Sequence, residues 1–200
     1  MPRERREQQI LDVAGGVFAR AGYHSASMDE IADSAGVSKP MLYAYFGSKE
    51  GLYLAYIRRA GGQLLDRLVS ARSRDRSAGA LLRARITEFL SFVEEHRDGW
   101  KVLFGEVGST RPFAENVAAL REQIAETIRR MIEAGAGSWP GYPAPASDAI
   151  AHALVGAGES LANWWLDHPD VTRDEVVGWY YAVVQAVLAG PRAGPSRTCG

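Results

Sequence analysis

Two hundred residues, 46% hydrophobic and 24% charged, are enough for one generous or two small globular domains with a sizeable core. The net charge of −1 excludes a polybasic chain that coats nucleic acid indiscriminately, although the first 60 residues carry a slight basic excess and the remainder a slight acidic one. One cysteine, Cys199, excludes an intrachain disulfide and a cysteine-based metal site. The charged start MPRERREQQ and the lack of any run of about 18 apolar residues predict a cytoplasmic chain with no membrane span.

Residues 4–21 place Ile10, Leu11, Ala14, Val17, Phe18 and Ala21 on one stripe at helical spacing. Arg3, Arg5 and Arg6 stand at its front, where cations oppose the helix dipole. They read either as a solvated helix start or as an arm that meets phosphates. Gly22 ends the helix as a left-handed cap. Ser27-Met28-Asp29-Glu30 has the form of a capping box and opens a second helix with Ile31 and Ala32 inward. Gly36 breaks it. Ser38 caps a third helix, in whose first turn Pro40 is tolerated and from which Leu42 and Phe46 point inward. Gly47 closes that helix, and Ser48 caps the next.

A short helix, a glycine turn and a second helix of about two turns form the pattern of DNA-binding helix-turn-helix units. Residues 5–52 resemble the DNA-binding domain of the TetR family of bacterial transcriptional regulators. The resemblance rests on ILDVAGGVFARAGYHSAS, on MDEIADSAGVSKPMLYAYFGSKEGL and most specifically on LYAYF-x-SKE-x-L. Ser27 stands where the family often has Thr, and Met41 where many members carry a small residue. The resemblance implies a recognition helix that presents Lys39, Pro40, Met41 and Tyr43 to the major groove. The chemistry fits. Lys39 can donate to guanine O6 and N7, and Pro40 and Met41 can touch thymine methyls. Ser27, Tyr45 and Lys49 suit phosphate contacts.

The remainder predicts only helices, giving an all-α chain of about nine. A long helix from Lys49 to about Ser70 carries Gly61-Gly62 in its middle, which costs about 2 kcal/mol against alanine. The pair either allows a bend or admits a packed neighbour. Further helices are predicted from Leu81 to His96, over a short aromatic stretch from Gly99 to Val107, and from Asn116 to Ala134. The Gly/Pro-rich segment 135–147 reads as a surface loop that is mobile or covers a pocket. Two more helices, about 147–168 and 172–189, follow, the second opened by the capping box Thr172-Arg173-Asp174-Glu175. The last helix is apolar around most of its girth and has too few partners in its own chain, so it predicts a subunit contact. The resemblance implies the same: a homodimer through these two helices. The expected organisation is a helix-turn-helix domain at 1–48, a helical ligand-binding and dimerisation domain at 49–190, and a disordered tail at 191–200.

No metal or catalytic constellation emerges. His24, His96, His152 and His168 share no ligand spacing, and no phosphate-cradling loop, nucleophile elbow or HExxH is present. No cofactor is implied, and the chain is not expected to be an enzyme. The body offers Trp100, Phe104, Phe113 and Trp164 as aromatic lining, with His152, Glu159 and Asn163 as orienting polar groups, for an apolar ligand pocket. The expected function is a ligand-responsive, sequence-specific transcriptional regulator. It would be a repressor, released from a near-palindromic double-stranded operator by a small apolar or aromatic effector. The alternative is a helix-turn-helix scaffold or protein-interaction module that does not read DNA.

Overall fold

The computed structural model describes residues 2–75, 77–104, 113–135 and 144–190. The described residues contain nine helices and no strand. They are α1 (Arg3–Ser25), α2 (Met28–Ala35), α3 (Lys39–Phe46), α4 (Lys49–Ser70), α5 (Ala78–Glu95), α6 (Arg97–Phe104), α7 (Ala114–Ala134), α8 (Ala144–Leu166) and α9 (Arg173–Leu188). The expected tail and most of the expected surface loop lie outside the described residues. No described helix is long and apolar enough to cross a membrane.

The chain packs as two compact units, Met1–Asp66 with Phe92–Arg121, and Arg67–Ser91 with Glu122–Gly200. In the first unit the α1 stripe is buried as its spacing requires, with Ile10, Leu11, Ala14, Val17 and Phe18 at 3% exposure or less. Gly22 breaks α1 at φ 72, ψ 164, and one further turn runs on to Ser25. Helices α2 and α6 pack on α1, and α3 packs on α2. Phe18, Tyr23, Tyr53 and Phe113 form a continuous aromatic cluster, with ring centroids 4.3–5.0 Å apart along its main contacts. Helix α4 is unbroken through Gly61-Gly62. A Cβ at Gly61 would lie 2.5 Å from Leu120 Cδ1, so this glycine admits a packed neighbour rather than a bend.

The second unit is built on α8 and α9, which pack on each other. Val176, Val177, Tyr180, Val184 and Leu188 form the buried side of α9. Tyr180 Oη donates to Leu154 O at 2.7 Å, so its hydroxyl is satisfied inside the core. Gly158 lies directly under that hydroxyl, because a Cβ there would be 3.0 Å from it. The close approach this glycine permits is therefore within the protomer.

Candidate nucleic-acid interface

The α2–α3 pair is fixed by caps and one buried leucine. Ser27 Oγ accepts from the Asp29 N–H at 3.1 Å. The full capping box is not formed, because the Glu30 carboxylate is drawn to Arg20 at 3.0 Å rather than back to Ser27. Gly36, at φ 64 and ψ 37, makes the left-handed turn that re-aims the chain. Ser38 Oγ accepts from the Met41 N–H at 3.3 Å and starts α3. Leu42, fully buried, pins that helix to the core.

This anchoring leaves the opposite side of α3 to solvent. Lys39 and Pro40 are exposed, and Met41 and Tyr43 stay 43% and 42% exposed. Tyr45 and Phe46 are half-buried. The Arg3 guanidinium lies 5.2 Å from the Tyr45 ring centroid, so the basic start of α1 stands beside α3. Lys39 Nζ donates to Asp29 Oδ2 at 2.9 Å. That hydrogen bond and the charge of Asp29 hold the lysine above its ordinary pKa.

Lys49 is placed differently from the expectation of a phosphate anchor. Its Nζ donates to the carbonyls of His24 and Ala26 at 3.0 and 3.1 Å and stands 4.8 Å over the Tyr23 ring. Carbonyls at the end of a helix lack intrahelical donors, and this cation supplies them.

The seven residues expected to line a ligand pocket are divided between the two units. Trp100, Phe104 and Phe113 are buried side chains of the first unit. Phe113 belongs to the aromatic cluster, and Trp100 packs on Phe104 at 4.4 Å. His152, Glu159, Asn163 and Trp164 all lie on α8 in the second unit. His152 is exposed and sits 3.7 Å from Glu122 and 3.9 Å from Asp148. Trp164 is 41% exposed and stacks on His168 at 4.0 Å. The first unit does hold a cleft of about 390 Å³, lined by Asp12, Gly15, Tyr56, Arg59, Phe92 and His96 among others. None of the seven lines it.

Two side-chain contacts of α3 are not legible in the sequence. Asp29 was legible as a cap residue and not as the partner of Lys39. Arg3 was legible as a cation and not as a neighbour of Tyr45. Both relations are set by how α1, α2 and α3 cross, which no local spacing records.

A solvent-facing recognition helix, capped and pinned from behind, defines a helix-turn-helix DNA-binding regulator. Residues 10–56 match the family model "Bacterial regulatory proteins, tetR family". Residues 78–187 match "Tetracyclin repressor-like, C-terminal domain". The chain belongs to the TetR family of DNA-binding transcriptional regulators. It is 35% identical over 180 residues to the HTH-type transcriptional activator FasR of Mycolicibacterium smegmatis, covering 88% of this chain and 80% of that protein. A TetR-like regulator from Rhodococcus sp. RHA1 superposes with a TM-score of 0.75 at 35% identity, over 96% of this chain and all of the other. FadR of Bacillus subtilis, solved with stearoyl-CoA, superposes with a TM-score of 0.74 over 92% of this chain and 99% of that one, at 19% identity, which shows the fold alone.

Proposed function

We propose that this regulator is a homodimer that sets two α3 helices into successive major-groove faces of a near-palindromic operator. Residues 1–48 read the DNA, and residues 49–190 carry the effector site and the subunit contact. Lys39, Pro40, Met41 and Tyr43 face the bases, while Ser27 and Tyr45 meet phosphates. The observation that carries this reading is the exposure of Met41 and Tyr43 on a helix whose opposite side is sealed by Leu42. A side chain that large, left in water on a rigid two-turn helix, gains its packing from a partner. Lys49 is left out of the base and phosphate set because its ammonium already serves the end of α1.

An effector acts by preferring one of two arrangements of the body, and it changes operator affinity by its differential affinity for them. Repression follows where the operator overlaps a promoter. The 35% identity to an activator favours a second reading, in which the same occupancy recruits transcription. Operator position then decides the sign.

Gel-shift at fixed salt with a duplex selected by the wild-type protein tests the reading. Tyr43→Ala is expected to weaken binding about tenfold or more, the size of one good base contact. Unchanged affinity would overturn the assignment of α3 as the reading helix.

A further inference from the structure

We propose that Asp29 is a specificity-determining residue of the DNA surface: its carboxylate holds Lys39 so that the correct base edge, and not any phosphate, releases it. The inference rests on the reading of Lys39 as a base reader.

Lys39 is the first residue of α3 and Asp29 the second of α2, ten positions apart across the turn. A cation at a helix N-terminus is disfavoured by the dipole, and a carboxylate at 2.9 Å offsets this. Both side chains are open to solvent, at 47% and 64% exposure. An exposed ion pair of this kind is worth little, so it can be exchanged on contact with DNA. Its effect is on selectivity.

In a non-specific complex the pair is neutral and releases no counterion from the duplex. If Lys39 turns to a phosphate, it gives up Asp29 and leaves that carboxylate facing the same anionic backbone. A guanine edge offers two directed acceptors in return, which a phosphate in arbitrary register does not. Asp29 acts a second time through α2. The N-terminus of a helix attracts phosphate. Here the Asp29 N–H is taken by Ser27 Oγ, and its carboxylate adds negative charge to that first turn. Glu30 does not share the role, since it is engaged by Arg20. One residue thus lowers two sources of sequence-independent affinity.

The test measures binding to two duplexes of equal length, one selected from random sequence by the wild-type protein and one scrambled, between about 50 and 200 mM salt. Asp29→Asn is expected to tighten the scrambled duplex several-fold at the low-salt end. Its log–log salt slope should steepen by about 0.9, one added phosphate contact. The selected duplex gains less, so the ratio of the two affinities falls. Adding Lys39→Met to Asp29→Asn should remove the part of the gain on the scrambled duplex that runs through Lys39, and with it the added salt slope. Asp33→Asn removes the same charge one turn further along α2 and should leave the ratio intact. An unchanged ratio in Asp29→Asn overturns the proposal, as does an equal fall in Asp33→Asn, which would make the effect one of net charge. Lys39→Met alone reads the underlying assignment separately. If it binds the selected duplex like the wild type, Lys39 is no base reader and the proposal falls with it.

Discussion

Tyr56 shows how much of this molecule is decided by single side chains. A Cβ at Gly15 of α1 would stand 2.3 Å from its Cε2, and a Cβ at Gly99 of α6 would stand 2.3 Å from its Oη. One ring on α4 therefore occupies the space that two glycines leave on two other helices. Alanine is the better helix former by about 1 kcal/mol, so propensity alone predicts that Gly15→Ala stabilises. Packing predicts the reverse, a loss of about 1–3 kcal/mol, because the ring must leave its place. Urea denaturation decides between them. Gly99→Ala should also destabilise, and Tyr56→Phe should rescue it, since the clash there is with the hydroxyl. The same change should not rescue Gly15→Ala, where the clash is with the ring. At this scale the sequence is legible where a residue's role is local. Leu42 inward with Met41 and Tyr43 outward follows from α3's own pattern. It is illegible where the partner comes from another helix, as with Lys49 on the His24 and Ala26 carbonyls or Asp29 on Lys39.

Helix caps repeat the distinction one level up. Thr172 and Glu175 form the full reciprocal box that their spacing predicts: Glu175 N–H donates to Thr172 Oγ1 at 3.4 Å, and Thr172 N–H donates to the Glu175 carboxylate at 2.9 Å. Ser27 and Glu30 have the same spacing and form no box: Ser27 Oγ accepts from the Asp29 N–H instead, and Arg20, ten residues back, captures the glutamate. A cap motif is readable from four residues only when no long cation reaches it from elsewhere. The element boundaries followed the caps and glycines closely, while the meaning of Gly61 needed Leu120 in place. For α9, Thr172→Ala is expected to cost about 1 kcal/mol in denaturant titration, the usual worth of a lost N-cap. The box also carries a pH dependence. The hydrogen bonds from the Thr172 hydroxyl and N–H hold the Glu175 carboxyl below its ordinary value of 4.5. A depressed folded-state pKa means that the contribution is fully present above that ordinary value and is lost as pH falls through the folded one. Glu175→Gln should therefore flatten the acid limb of the stability curve below about 4.5 and leave its shape near neutrality unchanged. An unaltered acid limb would mean that the box does not titrate with folding.

The whole molecule is organised by what the second unit leaves uncovered. Helix α9 buries Val176, Val177, Tyr180, Val184 and Leu188, yet Trp179, Val183 and Val187 remain 48%, 52% and 38% exposed. Those three stand at i, i+4 and i+8, so they form one stripe along the helix. Trp164 of α8, also exposed, extends it, with its ring centroid 6.3 Å from that of Trp179. Beside the stripe, a Cβ at Gly156 or Gly178 would meet nothing within 4 Å, so the surface there is flat enough for close approach by another helix. A contiguous apolar face of this kind is costly in water and marks an association surface. Placed on the two helices expected to join the subunits, it supports a two-fold contact between copies of this chain. In the proposed dimer, binding of the first α3 would make that of the second effectively intramolecular, so two modest two-turn helices would act as one tighter reader. Val183→Glu tests both halves at once. The residue is solvent-exposed in the protomer, so helical content by circular dichroism should be unchanged. Sedimentation equilibrium should show the monomer, because a carboxylate buried between two subunits without a partner is strongly penalised. Affinity for a two-half-site duplex should fall by about 100-fold or more, while the weak affinity for a single half-site is retained. A Val183→Glu protein that stays dimeric would remove α9 from the interface. One that turns monomeric yet holds the full site as tightly as before would show that the two reading helices act independently.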